Sequence, residues 1–350
     1  MNYRKKLLQL LLIICIFPVL VCGCGKKAYS QDKLQKEDHL SRSDFLLNTH
    51  VTVQLYDKQD QSILDACFDL IRRYELICSR TDPSAELAIL NNKSFLEKKP
   101  MDKSYELSPE LTDLIHEGLA YCQLSHGVFD ISIAPVTELW SFQTEPPKLP
   151  KKKFLLEALP LVNYRNIILS GNRIAFARQG VGIDLGAIAK GYIADRVKDY
   201  LLRNGVRSAI INLGGNVLCI GSKPDGTPFR VGIQKPDGQR NETLAIMEIR
   251  DSSVVSSGVY ERYFELDGQL YHHILDPATG YPCRSGLVAV TIISKKSVDG
   301  DGLSTTCFSL GLLEGAKLIE SLPDTYAVFI TEDGKAHYTK GFLEAVPTTK

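Results

Sequence analysis

The chain carries no excess of charge, because its 41 basic and 41 acidic residues give a formal net charge of zero at pH 7. Proteins that bind nucleic acid usually present a clear excess of positive charge, so we expect no nucleic-acid partner. The sequence also has no internal repeat and no GxGxxG segment after a predicted strand. The missing glycine pattern argues against a Rossmann dinucleotide-binding fold.

The apolar stretch near the N terminus, Leu7 to Leu20, is too short for a membrane-spanning helix, which needs about 20 apolar residues. It follows the basic Arg4-Lys5-Lys6 and precedes Val21-Cys22-Gly23-Cys24, which resembles a bacterial lipobox. This arrangement predicts a signal peptide over residues 1–23, cleavage after Gly23 and a lipid on Cys24. We therefore expect a lipoprotein on the extracytoplasmic face of a cell membrane, held in the lipid bilayer through Cys24. A plain secretory signal and a short anchor helix are the alternatives.

Residues 24–43 are rich in Lys, Gln, Asp and Ser and contain few apolar positions. A segment of this composition buries too little apolar surface to fold alone, which predicts a flexible tether. The whole chain is 44% hydrophobic and 23% charged, an ordinary balance for a globular protein. We expect one globular domain over residues 44–345.

Cysteine pairs with metal-binding or redox spacing are absent after residue 24. The six cysteines of this part are Cys67, Cys78, Cys122, Cys219, Cys283 and Cys307. An exported chain with six cysteines suggests disulfides. These cysteines are scattered singly, however, and most lie in apolar contexts where Cys behaves as a small hydrophobic residue. The pattern favours buried free thiols.

The predicted elements alternate irregularly between helix and strand, which indicates a mixed α+β fold and not regular βαβ units. Apolar spacing predicts helices over residues 61–77, 109–124, 188–203 and 301–321. A strand is expected over 45–56, several strands over 208–274, and hairpins over 166–176 and 326–338.

The segment Gly182 to Gly191 combines small residues, one acid and Lys190 just before a predicted helix. Small residues let a ligand approach the backbone, and the first turn of a helix has free N–H groups that favour phosphate. Lys190 would add a positive charge there. The segment predicts a phosphate site, and a plain strand–turn–helix with a solvated lysine is the alternative.

The segment Asp299 to Thr306 precedes an apolar run and offers oxygen ligands for a metal. If a helix begins near Asp301, then Asp301 and Thr305 share one face. Carboxylate and hydroxyl oxygens suit Mg²⁺, which often lies beside substrate phosphates. The alternative is that Asp301 only caps the helix. Together with Lys190, the pattern favours a site for Mg²⁺ and phosphate.

The sequence resembles the ApbE family, the FAD:protein FMN transferases. The resemblance extends over most of residues 44–345 and rests on several segments in family order. These segments are Phe45–Thr49, Ser79–Asn91, Gly127–Trp140, Asp184–Gly191, Asn212–Asn216, Ser256–Gly258, His273–Pro282 and Asp301–Thr305. The family's fold implies a largely antiparallel sheet core with flanking helices.

The resemblance implies transfer of FMN from FAD to a Thr or Ser hydroxyl of an acceptor protein, with release of AMP. Mg²⁺ would serve as cofactor, and acceptors would be exported or membrane redox proteins with a short Ser/Thr motif. Asp301 and Thr305 match side-chain metal ligands, with Ser304 adjacent, and Ala187 matches a backbone ligand. The positions that match FAD contacts are Leu47, Thr81, Val128, Phe129, Asp130, Asp184, Lys190 and Leu275. Leu47-Asn48 and Gly302 depart from the residues that are usual in the family.

His273 is the expected general base or hydroxyl-positioning group, because imidazole titrates near neutral pH. A structural histidine is the alternative, and His272, on the opposite strand face, is expected to be exposed. Trp140 could stack on a ring or lie in the core. Gly214-Gly215 could be a tight turn or a site of nucleotide approach.

Two other functions remain open. A Mg²⁺-dependent FAD pyrophosphatase would use the same site with water in place of the protein hydroxyl. A lipid-anchored flavin-binding protein without turnover would not require the metal pair. A solute-binding lipoprotein is disfavoured, because such proteins usually show regular βαβ alternation.

Overall fold

The computed structural model of the chain describes residues 39–96, 102–142, 147–236 and 242–349. The helices are α1 (Gln61–Cys78), α2 (Glu86–Leu96), α3 (Pro109–Leu124), α4 (Ala134–Thr137), α5 (Lys152–Ala158), α6 (Ala189–Arg203), α7 (Ser297–Glu320) and α8 (Phe342–Ala345). The first strands are β1 (Leu40–Leu46), β2 (Thr49–Leu55), β3 (Tyr105–Glu106), β4 (Ile167–Ser170), β5 (Arg173–Phe176), β6 (Ala209–Leu213), β7 (Asn216–Ile220) and β8 (Phe229–Gln234). The later strands are β9 (Thr243–Ile249), β10 (Ser253–Gly258), β11 (Tyr263–Leu266), β12 (Gln269–His272), β13 (Leu287–Ser294), β14 (Tyr326–Thr331), β15 (Ala336–Tyr338) and β16 (Thr348–Thr349).

An eight-stranded sheet forms the centre of the fold, in the order β1-β2-β6-β7-β10-β13-β14-β15. The paired strands of this sheet run antiparallel. Helix α7 packs against β10 and β13, and α6 packs against α7 and α1. This places the main hydrophobic core between the sheet and these helices. The expectation of an α+β fold with a largely antiparallel sheet and flanking helices is confirmed.

Three smaller sheets complete the described fold. Strands β3, β5 and β4 form one. Strands β16, β9 and β8 form another over a second apolar cluster. The hairpin β11–β12 packs on a third cluster that includes Trp140, Phe264 and Tyr271. Trp140 is therefore a core residue, and its indole Nε1 donates a hydrogen bond to the Gly280 carbonyl at 2.8 Å.

The helices predicted from apolar spacing are present, and local capping explains the starts of α1 and α3. The Asp60 carboxylate accepts a hydrogen bond from the Ser62 N–H at the start of α1, at 2.9 Å. The Ser108 hydroxyl accepts from the Leu111 N–H at 3.2 Å, just before the proline that opens α3. Side-chain caps of this kind satisfy N–H groups that the helix itself leaves unpaired.

The single strand predicted for residues 45–56 is wrong, because the chain reverses direction at Leu47 and Asn48. Both residues have a left-handed backbone, with φ of 54° and 55°. The Leu47 N–H donates to the Glu75 carboxylate of α1 at 2.7 Å, which fixes the reversal. Strand β1 begins at Leu40, so the end of the tether predicted for 24–43 is part of the sheet. Antiparallel pairing with β2 explains this, because it satisfies the backbone of residues 40–43.

Helix α7 begins at Ser297, four residues before the predicted start at Asp301. Its first N–H groups are capped by another helix, since the Asp195 carboxylate of α6 accepts from the Ser297 and Val298 N–H groups at 2.8 and 2.9 Å. Burial raises the pKa of Asp195 to about 6. The prediction that Asp301 might only cap the helix is therefore wrong, because Asp301 lies inside it.

Free thiols are confirmed for the six described cysteines, of which five are buried and Cys283 is half-buried. None of the described helices has both the length and the apolar character needed to cross a bilayer. The predicted signal peptide, the predicted lipobox and most of the predicted tether lie outside the described residues.

Candidate active site

The candidate site forms where the first turn of α6 lies against the first turns of α7. The two helices meet at Gly191, where an added Cβ would lie 2.3 Å from the backbone oxygen of Ser297. Only glycine permits this approach without moving one helix. The close contact brings the segment Gly182 to Gly191 and the segment Asp299 to Thr306 together, as the sequence predicted for a shared site.

Asp301 is the buried centre of this contact, with 4% of its surface exposed. Its Oδ2 accepts a hydrogen bond from the Gly191 N–H at 2.6 Å. Its Oδ1 accepts from the Asn216 side-chain amide at 3.1 Å and lies 3.8 Å from the Lys190 Nζ. These neutral donors and one lysine compensate the buried carboxylate for the hydrogen bonds to water that it loses.

Asp301 also caps the first turn of α6. Gly191 is the third residue of that helix and Ala187 precedes it, so the Gly191 N–H has no acceptor within α6. It donates to Asp301, and within the described residues the half-buried Ala187 carbonyl accepts no hydrogen bond. A carbonyl oxygen without a partner is a suitable ligand for a hard cation.

The hydroxyls on α7 extend this set of oxygens. The Thr305 hydroxyl lies 3.4 Å from that of Ser257 on β10, and the Ser304 hydroxyl lies 2.8 Å from the same Ser257 oxygen. Ser304 is fully buried and also donates to the Asp301 carbonyl at 3.1 Å, so it supports the helix. Thr305 is only half-buried, so its hydroxyl is the more available of the two.

The oxygens of Asp301, Thr305 and Ala187 match the ligand type that Mg²⁺ prefers. They include only one carboxylate. The described residues contain no group of three or more His, Cys, Asp or Glu side chains arranged to hold a metal. A site built from one carboxylate, one hydroxyl and one carbonyl suits an ion that keeps water or substrate phosphate among its ligands.

Asp184 lies at the other end of the same segment and is held by several donors. Its Oδ2 accepts from the Thr137 hydroxyl at 3.0 Å and lies 3.2 Å from the Arg80 Nε. Its Oδ1 accepts from the Gly186 N–H at 2.9 Å. The carboxylate is thus oriented by the protein, and Arg80 adds a positive charge that sequence analysis did not identify.

The residues expected to line a flavin nucleotide fall into two groups. Leu47 and Val128 are half-buried and Thr81 is exposed, so these three side chains are accessible to a ligand. Phe129, Asp130 and Leu275 are buried. Asp130 accepts hydrogen bonds from Ser132 and from the Tyr164 N–H, and burial raises its pKa. Its carboxylate therefore serves the fold.

His273 directly follows β12 and is half-buried. Its Nδ1 lies 3.3 Å from the Arg262 carbonyl, which can only accept, so Nδ1 carries the proton and Nε2 carries the lone pair. Loss of hydration, followed by the positive charge of Arg262, lowers the pKa of His273 to about 4. At neutral pH the ring is uncharged and can accept a proton at Nε2.

The prediction that His272 is exposed is wrong, because only 5% of its surface is accessible. Its ring contacts Phe308 edge-on, and its Nε2 lies 3.0 Å from the Cys283 carbonyl. The strand alternation was correct, but helix α7 covers the face that sequence analysis assigned to solvent. Its Nδ1 is buried and has no hydrogen-bond partner among the described residues.

A cavity of about 750 Å³ lies beside β12. Its wall includes Val128, Gln269, Leu270, Tyr271, His272, Asp276, Pro277, Ala278, Thr279, Cys283, Arg284 and Ser309. Lys190, Asp301 and Thr305 are not part of this wall. Ser309, which is part of the wall, lies four residues after Thr305 on α7 and therefore on the same face of the helix.

The pair Gly214-Gly215 is the turn between β6 and β7, and both residues have a left-handed backbone, with φ of 65° and 92°. A Cβ on Gly214 would lie 2.2 Å from the Thr49 hydroxyl, which accounts for glycine there without a ligand. Gly302 packs against the Tyr121 ring, and an added Cβ would lie 2.8 Å from it. Packing on Tyr121 therefore accounts for glycine in place of the family's usual residue.

Sequence analysis missed Asn216, which orients Asp301. The Asn216 Oδ1 accepts from the Ser297 hydroxyl at 2.6 Å, so its amide nitrogen must face Asp301. Ser253 donates to the Ser297 hydroxyl at 2.9 Å, and all four side chains are buried. The sequence contained one indication of Asn216: the segment Asn212–Asn216 is among those that carry the family resemblance. It has no charged residue, and so it did not suggest a site residue.

Comparison with known proteins gives one consistent result. The sequence model of the ApbE family matches residues 47–330. An FAD:protein FMN transferase of Treponema pallidum is 30% identical, over 95% of this chain and 94% of its own length. One from Klebsiella pneumoniae is 35% identical, over 84% of this chain and 89% of its own length.

Solved structures show the same similarity in three dimensions. The ApbE protein of Thermotoga maritima superposes with a TM-score of 0.78 and 30% identity, covering 87% of this chain and 98% of its own. The flavin transferase ApbE of Vibrio cholerae gives a TM-score of 0.76 and 25% identity, with the same coverage.

Proposed function

The chain belongs to the ApbE family and is an FAD:protein FMN transferase, and we propose that it uses Mg²⁺ and releases AMP. In this proposal FMN passes from FAD to a Thr or Ser hydroxyl of an acceptor protein. The hydroxyl oxygen bonds to the FMN phosphorus, the bond between that phosphorus and the AMP oxygen breaks, and the hydroxyl proton passes to a base. The main requirements are charge neutralisation and alignment.

One observation carries the metal part of this proposal. The Asp301 carboxylate accepts the Gly191 N–H at the contact of α6 and α7, Thr305 lies one turn further on the same face of α7, and the Ala187 carbonyl, just before α6, accepts no hydrogen bond among the described residues. Asp301, Thr305 and Ala187 would hold Mg²⁺. Bound there, the ion would neutralise and orient the pyrophosphate of FAD.

The remaining residues supply binding and proton transfer. Lys190 lies 3.8 Å from the Asp301 carboxylate and offers a second positive charge to a phosphate oxygen. Asp184, held by Arg80 and Thr137, offers an oriented acceptor for hydroxyl or amino groups of the nucleotide. His273 is neutral at pH 7 and has a free lone pair at Nε2, which suits removal of the acceptor hydroxyl proton.

The direct test incubates the purified protein with FAD, Mg²⁺ and an exported redox protein from the same genome that carries an exposed Thr or Ser motif. Covalent flavin is measured by fluorescence of the denatured acceptor, and AMP by chromatography. We expect equal amounts of both products and loss of both with EDTA. AMP without covalent flavin would indicate the FAD pyrophosphatase, and flavin binding without either product would indicate the non-catalytic binder.

We further propose that the enzyme is a lipoprotein with Cys24 as the lipid-bearing residue. The support is the basic, apolar and lipobox order of residues 4–24. An enzyme on the extracytoplasmic face would meet acceptors that are themselves exported or anchored in the membrane.

A further inference from the structure

Strand β12 has one unpaired edge, and this edge faces the cavity of about 750 Å³. The strand pairs only with β11, through the register Tyr263 with His272 and Glu265 with Leu270. The His273 N–H donates to the Arg262 carbonyl at 3.0 Å. Arg262 and His273, just beyond the end of β12, therefore form a hydrogen-bonded pair of the ladder. Because such pairs alternate in an antiparallel ladder, the backbone groups of Leu270 and His272 point away from β11.

The outward-pointing backbone groups of Leu270 and His272 have no partner among the described residues. Further along the same edge the equivalent groups are satisfied. The Ile274 carbonyl accepts from the Cys283 N–H at 2.9 Å, and the Asp276 N–H donates to the Tyr281 carbonyl at 2.8 Å. The unsatisfied part of the edge is therefore short, about three residues, or roughly 10 Å of extended chain.

The cavity wall beside this edge also carries polar side chains, among them Asp276, Thr279 and Arg284. An occupant therefore needs hydrogen-bond donors and acceptors with the spacing of an extended backbone.

We propose that an extended segment of the acceptor protein binds along the free edge of β12 as an added strand. This inference rests on the proposed function, which requires a polypeptide substrate. Main-chain pairing accepts many sequences, and side-chain pockets add the selectivity. A segment paired with Leu270 and His272 lies beside the end of β12, where His273 follows directly, so its Thr or Ser is brought toward the proposed base.

The strand register provides a matched pair of variants. Leu270→Pro removes an N–H that points to the cavity, and Glu265→Pro removes one that points to the opposite edge of the same hairpin. Neither N–H belongs to the β11–β12 ladder, so both prolines leave its hydrogen bonds in place. Leu270→Ala keeps the N–H and separates a backbone effect from a side-chain effect.

The probe is a set of synthetic 12-residue peptides with one central threonine, and FMN transfer is read as covalently retained flavin fluorescence. With the peptide that the wild type labels best, we expect Leu270→Pro to raise KM about tenfold, as for loss of one well-placed hydrogen bond. We expect Glu265→Pro to stay within about twofold on the same basis, and Leu270→Ala to raise KM less than Leu270→Pro does. The dissociation constant for FAD, measured by fluorescence titration, should not change in any of the three.

The outcomes separate this inference from the proposed function. Equal effects of the two prolines, or weaker FAD binding by Leu270→Pro, would overturn the docking edge, and the second result would assign the cavity to the flavin. A wild-type enzyme that splits FAD and labels no peptide would also overturn it, because a short extended segment should suffice. A wild type that neither splits FAD nor labels any acceptor would instead refute the proposed function.

Discussion

The backbone N–H of Gly191 donates a hydrogen bond to the Oδ2 of Asp301 at 2.6 Å, and this contact joins helix α6 to helix α7. It performs two tasks at once. It fixes a buried carboxylate, and it satisfies a first-turn N–H that has no acceptor within α6. The position of the Asp301 carboxylate in the proposed metal site is thus a direct consequence of how closely the two helices approach.

Replacing Gly191 by alanine should destabilise the protein by about 3 kcal/mol or more, the upper part of the range for overpacking. The added Cβ would lie 2.3 Å from the Ser297 carbonyl oxygen, and backbone cannot move aside as a side chain can. The free energy of unfolding should be measured in denaturant. The control is Gly186→Ala, where the nearest atom is a side-chain oxygen at 3.1 Å. Equal stability of the two variants would show that the helices can separate at little cost.

Asp301→Asn should reduce FMN transfer by about 100-fold or more, because it removes the charged ligand of the proposed metal site while keeping the side-chain volume. Alanine is a poorer test, since it would leave the Gly191 N–H and the Asn216 amide unpaired, at about 1–3 kcal/mol each. Asp299→Asn is the control on the same helix, because Asp299 contacts Tyr121 outside the oxygen cluster. Wild-type transfer by Asp301→Asn at limiting Mg²⁺ would place the metal elsewhere.

Lys190→Ala should raise the dissociation constant of FAD about tenfold, through loss of one charge-assisted contact worth roughly 1.5–3 kcal/mol. Fluorescence titration of FAD measures this directly. Lys198→Ala is the control, because Lys198 lies on the same helix and contacts Asp251, outside the site. If both variants bind FAD like the wild type, Lys190 is only a partner of Asp301.

The sequence predicted the four longest of the eight described helices, α1, α3, α6 and α7, because their signals are local. Apolar spacing and the caps Asp60 and Ser108 lie within or beside α1 and α3. The start of α7 was missed because its cap is Asp195, 102 residues earlier on another helix. No pattern near Ser297 records that contact.

The reversal at Leu47-Asn48 shows the same limit. The pair Leu47-Asn48 is not one of the usual turn dipeptides, and the spacing of apolar residues around it does not mark a turn. The left-handed backbone at Leu47 is held by the Glu75 carboxylate of α1. The candidate site was predictable in its charged and hydroxyl residues, Lys190, Asp301 and Thr305. The part played by Asn216 was not, because it depends on Ser297 and Ser253, which come together only in the folded chain.

Cys24→Ser should abolish lipidation and leave an uncleaved or soluble form, because the thioether bond to the lipid requires the thiol. Membrane fractionation and mass spectrometry of the N terminus measure both effects. Cys22→Ser is the control, since Cys22 lacks a small residue before it and should not carry the lipid. A wild-type chain that begins elsewhere and has no lipid would contradict the lipoprotein prediction.

His273→Ala should lower the rate of FMN transfer by about 10²–10⁴-fold, the usual contribution of general base catalysis. The dissociation constant for FAD should change much less, because the base acts on the incoming hydroxyl. Equal losses of rate and of FAD binding would instead indicate a structural or nucleotide-binding histidine.

The pH dependence of transfer gives a readout that a structural role of His273 would not produce. Its surroundings lower the pKa of His273 to about 4, so in the folded protein the His273 ring is neutral at pH 5 and above. The transfer rate of the wild type should therefore fall as the pH drops through about 4, and it should not show a step between pH 6 and 7, where an exposed histidine titrates. The residual rate of His273→Ala should lack the acid limb. A wild-type step near pH 6.5 that disappears in the variant would keep His273 as the base but place its ring in water during the reaction.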